Sequence, residues 1–252
     1  AKSLIANSDV SVSAGSLQLD NASQISGLFT LSGGTLTGAG RAAVTGAGGS
    51  LVWSGGTMAS GGSFLLGGGN SGTLSNSLTL NRVFENQGTL TFSGASVSGS
   101  GSIVNTGLLT ATSATSNTIN TSLVNAFSPT IGTIQLSGVG TTLTATTFPT
   151  NDGQIVVGNG ATFSTGGNSL TNTATSSLMI DAGNYTTAGA SVTTGSGNLA
   201  VSGALSAGAI TLLSGGGVTL NAGSTVTATG SAYDSIVISG ASFTNNAGSG
   251  VL

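Results

Sequence analysis

Residues 29–36 read Phe-Thr-Leu-Ser-Gly-Gly-Thr-Leu, and residues 51–58 read Leu-Val-Trp-Ser-Gly-Gly-Thr-Met. In both stretches apolar and polar residues alternate on either side of a glycine pair. An alternation of period two predicts β-strands that bury one face. Residues 90–97 (Leu-Thr-Phe-Ser-Gly-Ala-Ser-Val) and 236–243 (Ile-Val-Ile-Ser-Gly-Ala-Ser-Phe) repeat the pattern. The recurring unit is therefore a strand, a glycine-rich turn and further strand.

Apolar triplets recur at nearly constant intervals in the second half of the chain. They begin at Ile134, Ile155, Leu178, Leu199, Val218 and Ile236. A period near 20 residues predicts a solenoid, in which stacked units share one core. We expect one continuous all-β domain, residues 1–252, forming a single-stranded parallel β-helix of about 12 coils of roughly 20 residues each, or a rod about 60 Å long. Coils in 1–128 are expected to be less regular than those in 129–252.

Four Asn-x-Gly elements predict the corners of the coils. They begin at Asn70, Asn86, Asn105 and Asn151. Asn and Gly tolerate the left-handed backbone of a sharp turn, and stacked Asn amides can hydrogen-bond from coil to coil. We interpret these residues as turn formers without a ligand.

Composition argues against most catalytic and nucleic-acid functions. The 252 residues include 44 Gly, no Cys and no His, and only 4% of them are charged. Without His or Cys, the usual zinc sites, proton shuttles and thiol nucleophiles are missing. The three cations, Lys2, Arg41 and Arg82, cannot neutralise a nucleic-acid backbone. We expect no enzyme, and we nominate no catalytic, cofactor-binding or metal-binding residue and no cofactor. No apolar run is long enough for a membrane helix, so no membrane insertion is expected.

A few side chains stand out against this neutral background. Arg82 and Glu85 are expected to form a surface ion pair, and Trp53 is expected to pack in the core. Asp152 and Asp181 offer a weak alternative as a carboxylate pair of a carbohydrate-active β-helix enzyme.

Thr-x-Thr pairs leave a further alternative open, that of an ice-binding solenoid. The pairs are Thr35/Thr37, Thr89/Thr91, Thr142/Thr144 and the triple Thr225/Thr227/Thr229. Their central residue is usually apolar, which predicts that the threonines point outward. Their intervals are uneven, which argues against a flat, matched array.

The strand units of residues 90–97, together with the Asn-x-Gly-x-Leu corners, resemble the repeats of filamentous-haemagglutinin-like exoproteins of Gram-negative bacteria. The sharpest part is residues 233–252, where Ser239 and 243–248 (Phe-Thr-Asn-Asn-Ala-Gly) carry the resemblance. The resemblance implies a right-handed β-helix, two-partner secretion through an outer-membrane partner, and a role as an adhesin or surface fibre. Passengers of single-chain autotransporters have similar sequences.

We therefore expect a secreted or cell-surface rod, located outside the cell or on the bacterial outer surface, that acts as an adhesin or extracellular structural fibre. The expected partners are host or cell-surface glycans, or other copies of the chain stacked end to end or laterally. A filament subunit that stacks through uncapped solenoid ends is the main alternative.

Overall fold

The computed structural model describes residues 2–111, 114–127, 130–148, 150–158 and 161–164, and beyond these the backbone of ten further strands. Every regular element in this part of the chain is a β-strand. No described segment forms a helix that is long and apolar enough to cross a membrane.

The strands are short and follow one another closely. In chain order, β1 to β30 are Ile5–Ala6, Val10–Val12, Ser16–Gln18, Ser23–Ile25, Leu28–Gly38, Ala42–Val44, Ser50–Gly61, Ser63–Leu66, Ser71–Leu80, Val83–Asn86, Thr89–Ser98, Ser102–Asn105, Leu108–Ala111, Ser116–Ile119, Ser122–Asn125, Thr133–Leu136, Thr142–Ala145, Thr150–Asn151, Gln154–Gly158, Thr162–Ser164, Leu170–Asn172, Ser177–Asp181, Asn184–Thr193, Asn198–Val201, Ala204–Leu212, Gly217–Leu220, Thr225–Ala228, Ile236–Ile238, Ser242–Asn245 and Gly250–Val251.

All strand pairs are parallel and fall into three ladders that run along the solenoid. Ladder A contains β1, β4, β6, β8, β10, β12, β15 and β18. Ladder B begins with β2 and continues through the first halves of β5, β7, β9 and β11 to β13, β16 and β19. Ladder C begins with β3 and continues through the second halves of the same four long strands to β14, β17 and β20.

Up to residue 164, the described part of the chain is thus an all-β parallel solenoid of about eight turns, with about 20 residues per turn. The fold class expected from the sequence is confirmed at this level, whereas the count of about 12 coils is not. Coils differ in length because their corners contain different numbers of residues. Asn125 aligns with Asn151, 26 residues later, whereas Asn86 aligns with Asn105, 19 residues later.

A continuous apolar core fills the interior of the solenoid. Its largest group is an aromatic stack in which the ring of Phe64 lies 5.7 Å from Phe29 and 5.1 Å from Phe84, centroid to centroid. Trp53 is fully buried and stacks on Phe84 at 6.4 Å. The expectation that Trp53 packs in the core is confirmed, and its indole cannot serve as a sugar platform on the surface.

The Gly-Gly and Gly-Ala pairs of the repeated unit form the bend between ladders B and C. There Gly56 and Gly94 adopt positive φ angles of 80° and 73°. A side chain at Gly56 would also overlap the carbonyl oxygen of Gly34 in the preceding coil. Glycine is therefore required at position 56 both by its backbone conformation and by the close approach of stacked coils.

The register confirms most of the sequence repeats and corrects one. Phe29 pairs with Leu51 and Leu36 with Met58, as their matching motifs predict. However, ladder B continues from β19 through β22 and β24 to β26 and β29, where Val218 pairs with Phe243. Ladder A continues from β18 through β21 and the second halves of β23 and β25 to β28, where Ile236 pairs with Ile210. The prediction that Ile236 continues the series of Val218 is wrong, because alternation shows which side chains point inward but not which ladder a strand joins.

Candidate functional surface

The outer face of ladder C is lined almost entirely by hydroxyl groups. Its outward positions in the described coils are Ser16, Thr35, Thr37, Thr57, Ser77, Thr79, Ser96, Ser98, Ser116, Thr118, Thr142, Thr144, Thr162 and Ser164, interrupted by Gln18 and Ala59. None of these positions is buried and none is charged. We call this surface the hydroxyl face.

Strand register aligns these hydroxyls from coil to coil. One file runs from Thr35 through Thr57 and Thr79 to Ser98, and a second runs from Ser96 through Thr118 and Thr144 to Ser164. The spacing between neighbours in a file is that of adjacent strands, about 4.8 Å. The uneven sequence intervals thus arise from corners of different length, and the hydroxyls are in register in spite of them.

The Thr-x-Thr pairs do not all share this face. Thr35/Thr37 and Thr142/Thr144 lie on the hydroxyl face, whereas Thr89/Thr91 lie on ladder B. Their outward orientation is confirmed, since each of these threonines is partly exposed. Thr225 and Thr227 belong to β27, and Thr229 lies outside the described residues.

The outer face of ladder A has a different character. Its outward positions include the apolar residues Ile5, Ala43, Leu65, Val83, Val104 and Val124. Arg41 and Glu85 form an ion pair across it, with 2.6 Å between Nη2 and Oε2. Leu65 lies between them in register and is only 7% exposed although it faces outward. We call this surface the apolar face.

The expected surface pair of Arg82 with Glu85 is wrong. Glu85 pairs with Arg41, and Arg82 points inward at the corner between ladders C and A, where it is 3% exposed. Two residues whose positions differ by three lie on opposite sides of an extended chain, so sequence proximity did not bring them together.

The guanidinium of Arg82 binds backbone carbonyl groups of two earlier coils. Its Nε donates to the oxygen of Ala59 at 2.7 Å, and its Nη2 donates to those of Leu36 and Gly38 at 3.2 and 3.5 Å. Its Nη1 has no hydrogen-bond partner. Burial lowers the pKa of the Arg82 guanidinium from its ordinary value. Arg82 is therefore a structural cross-link between coils.

A ladder of buried asparagines occupies the corner between ladders A and B. The Nδ2 of Asn86 donates to Oδ1 of Asn105, that of Asn105 to Asn125, and that of Asn125 to Asn151, each at 2.7 Å. Each of these three amides also donates to a backbone oxygen at 3.1 Å. The predicted coil-to-coil stacking is confirmed for Asn86, Asn105 and Asn151.

Sequence reasoning missed one member of this ladder and misplaced another. The Asn-x-Gly spacing does not identify Asn125, because the glycine of its corner, Gly132, is seven positions away instead of two. Asn70 lies on the other side of the corner, aligned with Gly88, and donates to Gly67 and Gly68 of its own turn. Its prediction as a stacked corner amide is wrong.

The structure does not bring the suggested carboxylate pair together. Asp181 pairs with Gly158, at the end of its ladder B strand, whereas Asp152 precedes the start of the neighbouring strand β19. Gly158, which is level with Asp181, lies four strand positions, or about 13 Å, beyond Gln154. Asp152 lies two residues before Gln154, so Asp152 and Asp181 belong to opposite ends of these neighbouring strands. Among the described residues, no group of three or more acidic side chains could hold a metal ion.

No protein-family model, curated protein or solved structure matches this chain. Of residues 233–252, which carry the resemblance to filamentous-haemagglutinin-like repeats, the structure describes only the backbone of Ile236–Ile238, Ser242–Asn245 and Gly250–Val251.

Proposed function

We propose that this chain is a secreted or cell-surface rod that serves as an adhesin or extracellular structural fibre and has no enzymatic activity. The observation that carries the proposal is the hydroxyl face: an uncharged, regularly spaced set of groups, each able to donate and accept hydrogen bonds. Such a face suits repeated weak contacts with neutral glycans on a host or cell surface. The repeated contacts would add up through multivalency.

The proposal extends the solenoid over the whole chain. Beyond residue 164 the backbone strands continue all three ladders, with β21 on ladder A, β22 on ladder B and the start of β23 on ladder C. The strand nearest the end of the sequence, β30, pairs with β27. We infer a right-handed rod of about 12 coils, about 60 Å long at the ordinary strand spacing.

Location and secretion follow from the sequence resemblance. A repeat region of the filamentous-haemagglutinin type would leave the cell through an outer-membrane partner and function on the outer surface. The low charge, 4% of residues, fits a dense extracellular layer because little electrostatic repulsion opposes close packing.

Binding to an array of immobilised neutral glycans tests the proposal. A double variant of the hydroxyl face, Thr118→Lys with Thr144→Lys, places two adjacent charges on the aligned file. Its matched control, Thr110→Lys with Gln135→Lys, does the same on ladder B, where those residues also face each other. We expect the first variant to lose binding at least about tenfold and the control to keep it. Equal binding by both variants, or no binding by the native chain, would contradict the role of the hydroxyl face.

Ice binding is a second candidate that the aligned hydroxyls favour. A rigid face that repeats hydrogen-bonding groups in two dimensions can hold water in a lattice-like arrangement, and charged side chains are absent from it in the described coils. A freezing assay on the same two double variants tests this candidate. Thermal hysteresis that disappears only in the hydroxyl-face variant supports it, and the absence of hysteresis and crystal shaping in the native chain eliminates it.

A further inference from the structure

A groove runs along the corner between ladders C and A, beside the hydroxyl face. Its volume is about 350 Å³, near the lower end of the range for small-molecule sites. Gly62 and Gly101, which line it, lie one coil before and one coil after Arg82. With Gly61, they leave backbone uncovered by side chains along the groove. The groove is therefore large enough for one monosaccharide and gives a ligand access to the main chain.

Three side chains along the groove have hydrogen-bond donors to spare. The Oδ1 of Asn81 accepts from the N and Oγ of Ser100 at 3.0 and 3.2 Å, which fixes the amide. In the part of the chain that the structure describes, its Nδ2 donates to no partner. The hydroxyls of Ser102 and Ser122, neighbours in register, form no hydrogen bond with described residues either. Each of these three groups can donate to an oxygen of a bound molecule.

Arg82 gives this corner a positive charge that no carboxylate among the described residues neutralises. Its Nε donates to the oxygen of Ala59, two residues before Gly61, so the guanidinium reaches back towards the coil that begins the groove. Its buried Nη1 has no hydrogen-bond partner. Glu85, the acidic residue nearest in sequence, is paired with Arg41. A charge surrounded by protein acts on a nearby anion more strongly than the same charge in water.

Val83 adds an apolar contact to the groove. It is 40% exposed, and it lies in register with Ser102 of the next coil. The C–H groups of a sugar ring can pack on such a side chain while the ring hydroxyls exchange hydrogen bonds with Asn81 and the serines. A simple anion would use the charge and leave the rest of the groove unfilled.

We propose that this groove binds a single carboxylate-bearing sugar residue, a uronic acid. The positive potential from Arg82 selects the carboxylate, the donors and Val83 select the ring, and the volume limits the ligand to one residue. Arg82 acts through its charge and not by contact, because it is only 3% exposed. The inference goes beyond the proposed function: the groove lies outside the hydroxyl face, and its ligand is acidic, whereas the hydroxyl face is proposed to contact neutral glycans.

Amide chemical-shift titrations of the native chain with glucuronate, glucose and acetate test the groove. Glucuronate and glucose differ only in carrying a carboxylate or a hydroxymethyl group, and acetate supplies the carboxylate without the ring. We expect glucuronate to shift the amide signals of Gly61, Ser100 and Gly101. It should bind at least about tenfold more tightly than glucose or acetate. If glucuronate leaves these amides unshifted, or if glucose or acetate binds equally well, the proposal is wrong.

Two substitutions test the two parts of the site. Ser102→Asp places a carboxylate in the groove and should weaken glucuronate binding at least about tenfold through repulsion. Thr110→Asp, outward on ladder B, is the matched control and should bind glucuronate as the native chain does. Arg82→Met removes the charge and should reduce glucuronate binding to the level of glucose.

Circular dichroism establishes that each variant is folded, and Ser102→Asp decides the question if Arg82→Met does not fold. Glucuronate binding that survives Ser102→Asp, or that survives in folded Arg82→Met, would overturn the proposal. A native chain that binds immobilised neutral glycans but not glucuronate leaves the proposed function standing and eliminates the groove. Binding of glucuronate without binding of neutral glycans does the reverse, so the two failures are distinguishable.

Discussion

At the scale of single residues, Arg82 shows how one buried charged side chain can link neighbouring coils. The chain has very few charges, and one of them is buried at a corner where it binds only backbone carbonyls. Among the described residues no carboxylate neutralises it, because Glu85, three residues away, pairs with Arg41 instead. The planar guanidinium reaches two earlier coils because its donors diverge, a geometry that an ammonium group cannot reproduce.

Replacement of Arg82 by Lys should destabilise the protein more than replacement by Met. Lys keeps a buried charge and loses the divergent donors to Ala59 and Leu36, whereas Met fills similar volume without a charge to desolvate. We expect Arg82→Lys to lower the free energy of unfolding by about 2–3 kcal/mol and Arg82→Met by about 1 kcal/mol. Denaturant titration measures both values. A Lys variant as stable as the native chain would show that the guanidinium bonds contribute nothing.

At the scale of elements, the asparagine ladder shows how much of a corner can be predicted from sequence. The Asn-x-Gly spacing identified Asn86, Asn105 and Asn151, because in these corners the turn directly follows the ladder A strand. The spacing does not identify Asn125, because extra residues separate it from the glycine of its corner. It wrongly includes Asn70, because Asn70 follows its turn instead of preceding it. Local patterns thus identify turn formers, but only strand register shows which of them stack.

The same limit applies to the outer faces. Alternation predicts that Thr35 and Thr144 point outward, as they do, yet their alignment depends on corner lengths that alternation does not encode. Likewise, nothing local links Arg41 to Glu85, because 44 residues separate them in sequence and only the stacking of coils brings them to one face.

The contribution of each amide to the free energy of unfolding should depend on its position within the asparagine ladder. Asn105→Ala removes an acceptor for Asn86 and a donor to Asn125, which leaves buried polar groups on both sides. Asn86→Ala, at the end of the ladder, removes one such bond together with an Oδ1 that already lacks a partner. We expect losses of about 2–3 kcal/mol for Asn105→Ala and about 1 kcal/mol for Asn86→Ala in the free energy of unfolding. Equal losses would mean that the amides act independently of one another.

At the scale of the whole molecule, the solenoid is a one-dimensional stack. Each coil pairs only with the coil before it and the coil after it, so stability is close to a sum of coil terms and contacts between neighbours. Two aromatic groups are separated along the stack: Phe29, Trp53, Phe64 and Phe84 pack together in the second to fifth described coils, and Phe148 packs with Phe163 in the last two, 6.1 Å apart.

This arrangement predicts that damage to the core stays local. Phe84→Ala removes a ring that contacts both Phe64 and Trp53, at a cost of about 3–5 kcal/mol to the coils around it. In amide hydrogen exchange, protection should fall in β8, β10 and β12, while β17 and β20 exchange as in the native chain. Phe163→Ala is the reciprocal control: it should expose β17 and β20 and leave β8 and β10 protected. Uniform loss of protection from either substitution would show that the coils unfold as one cooperative unit, and that nearest-neighbour stacking is not what limits the stability of the rod.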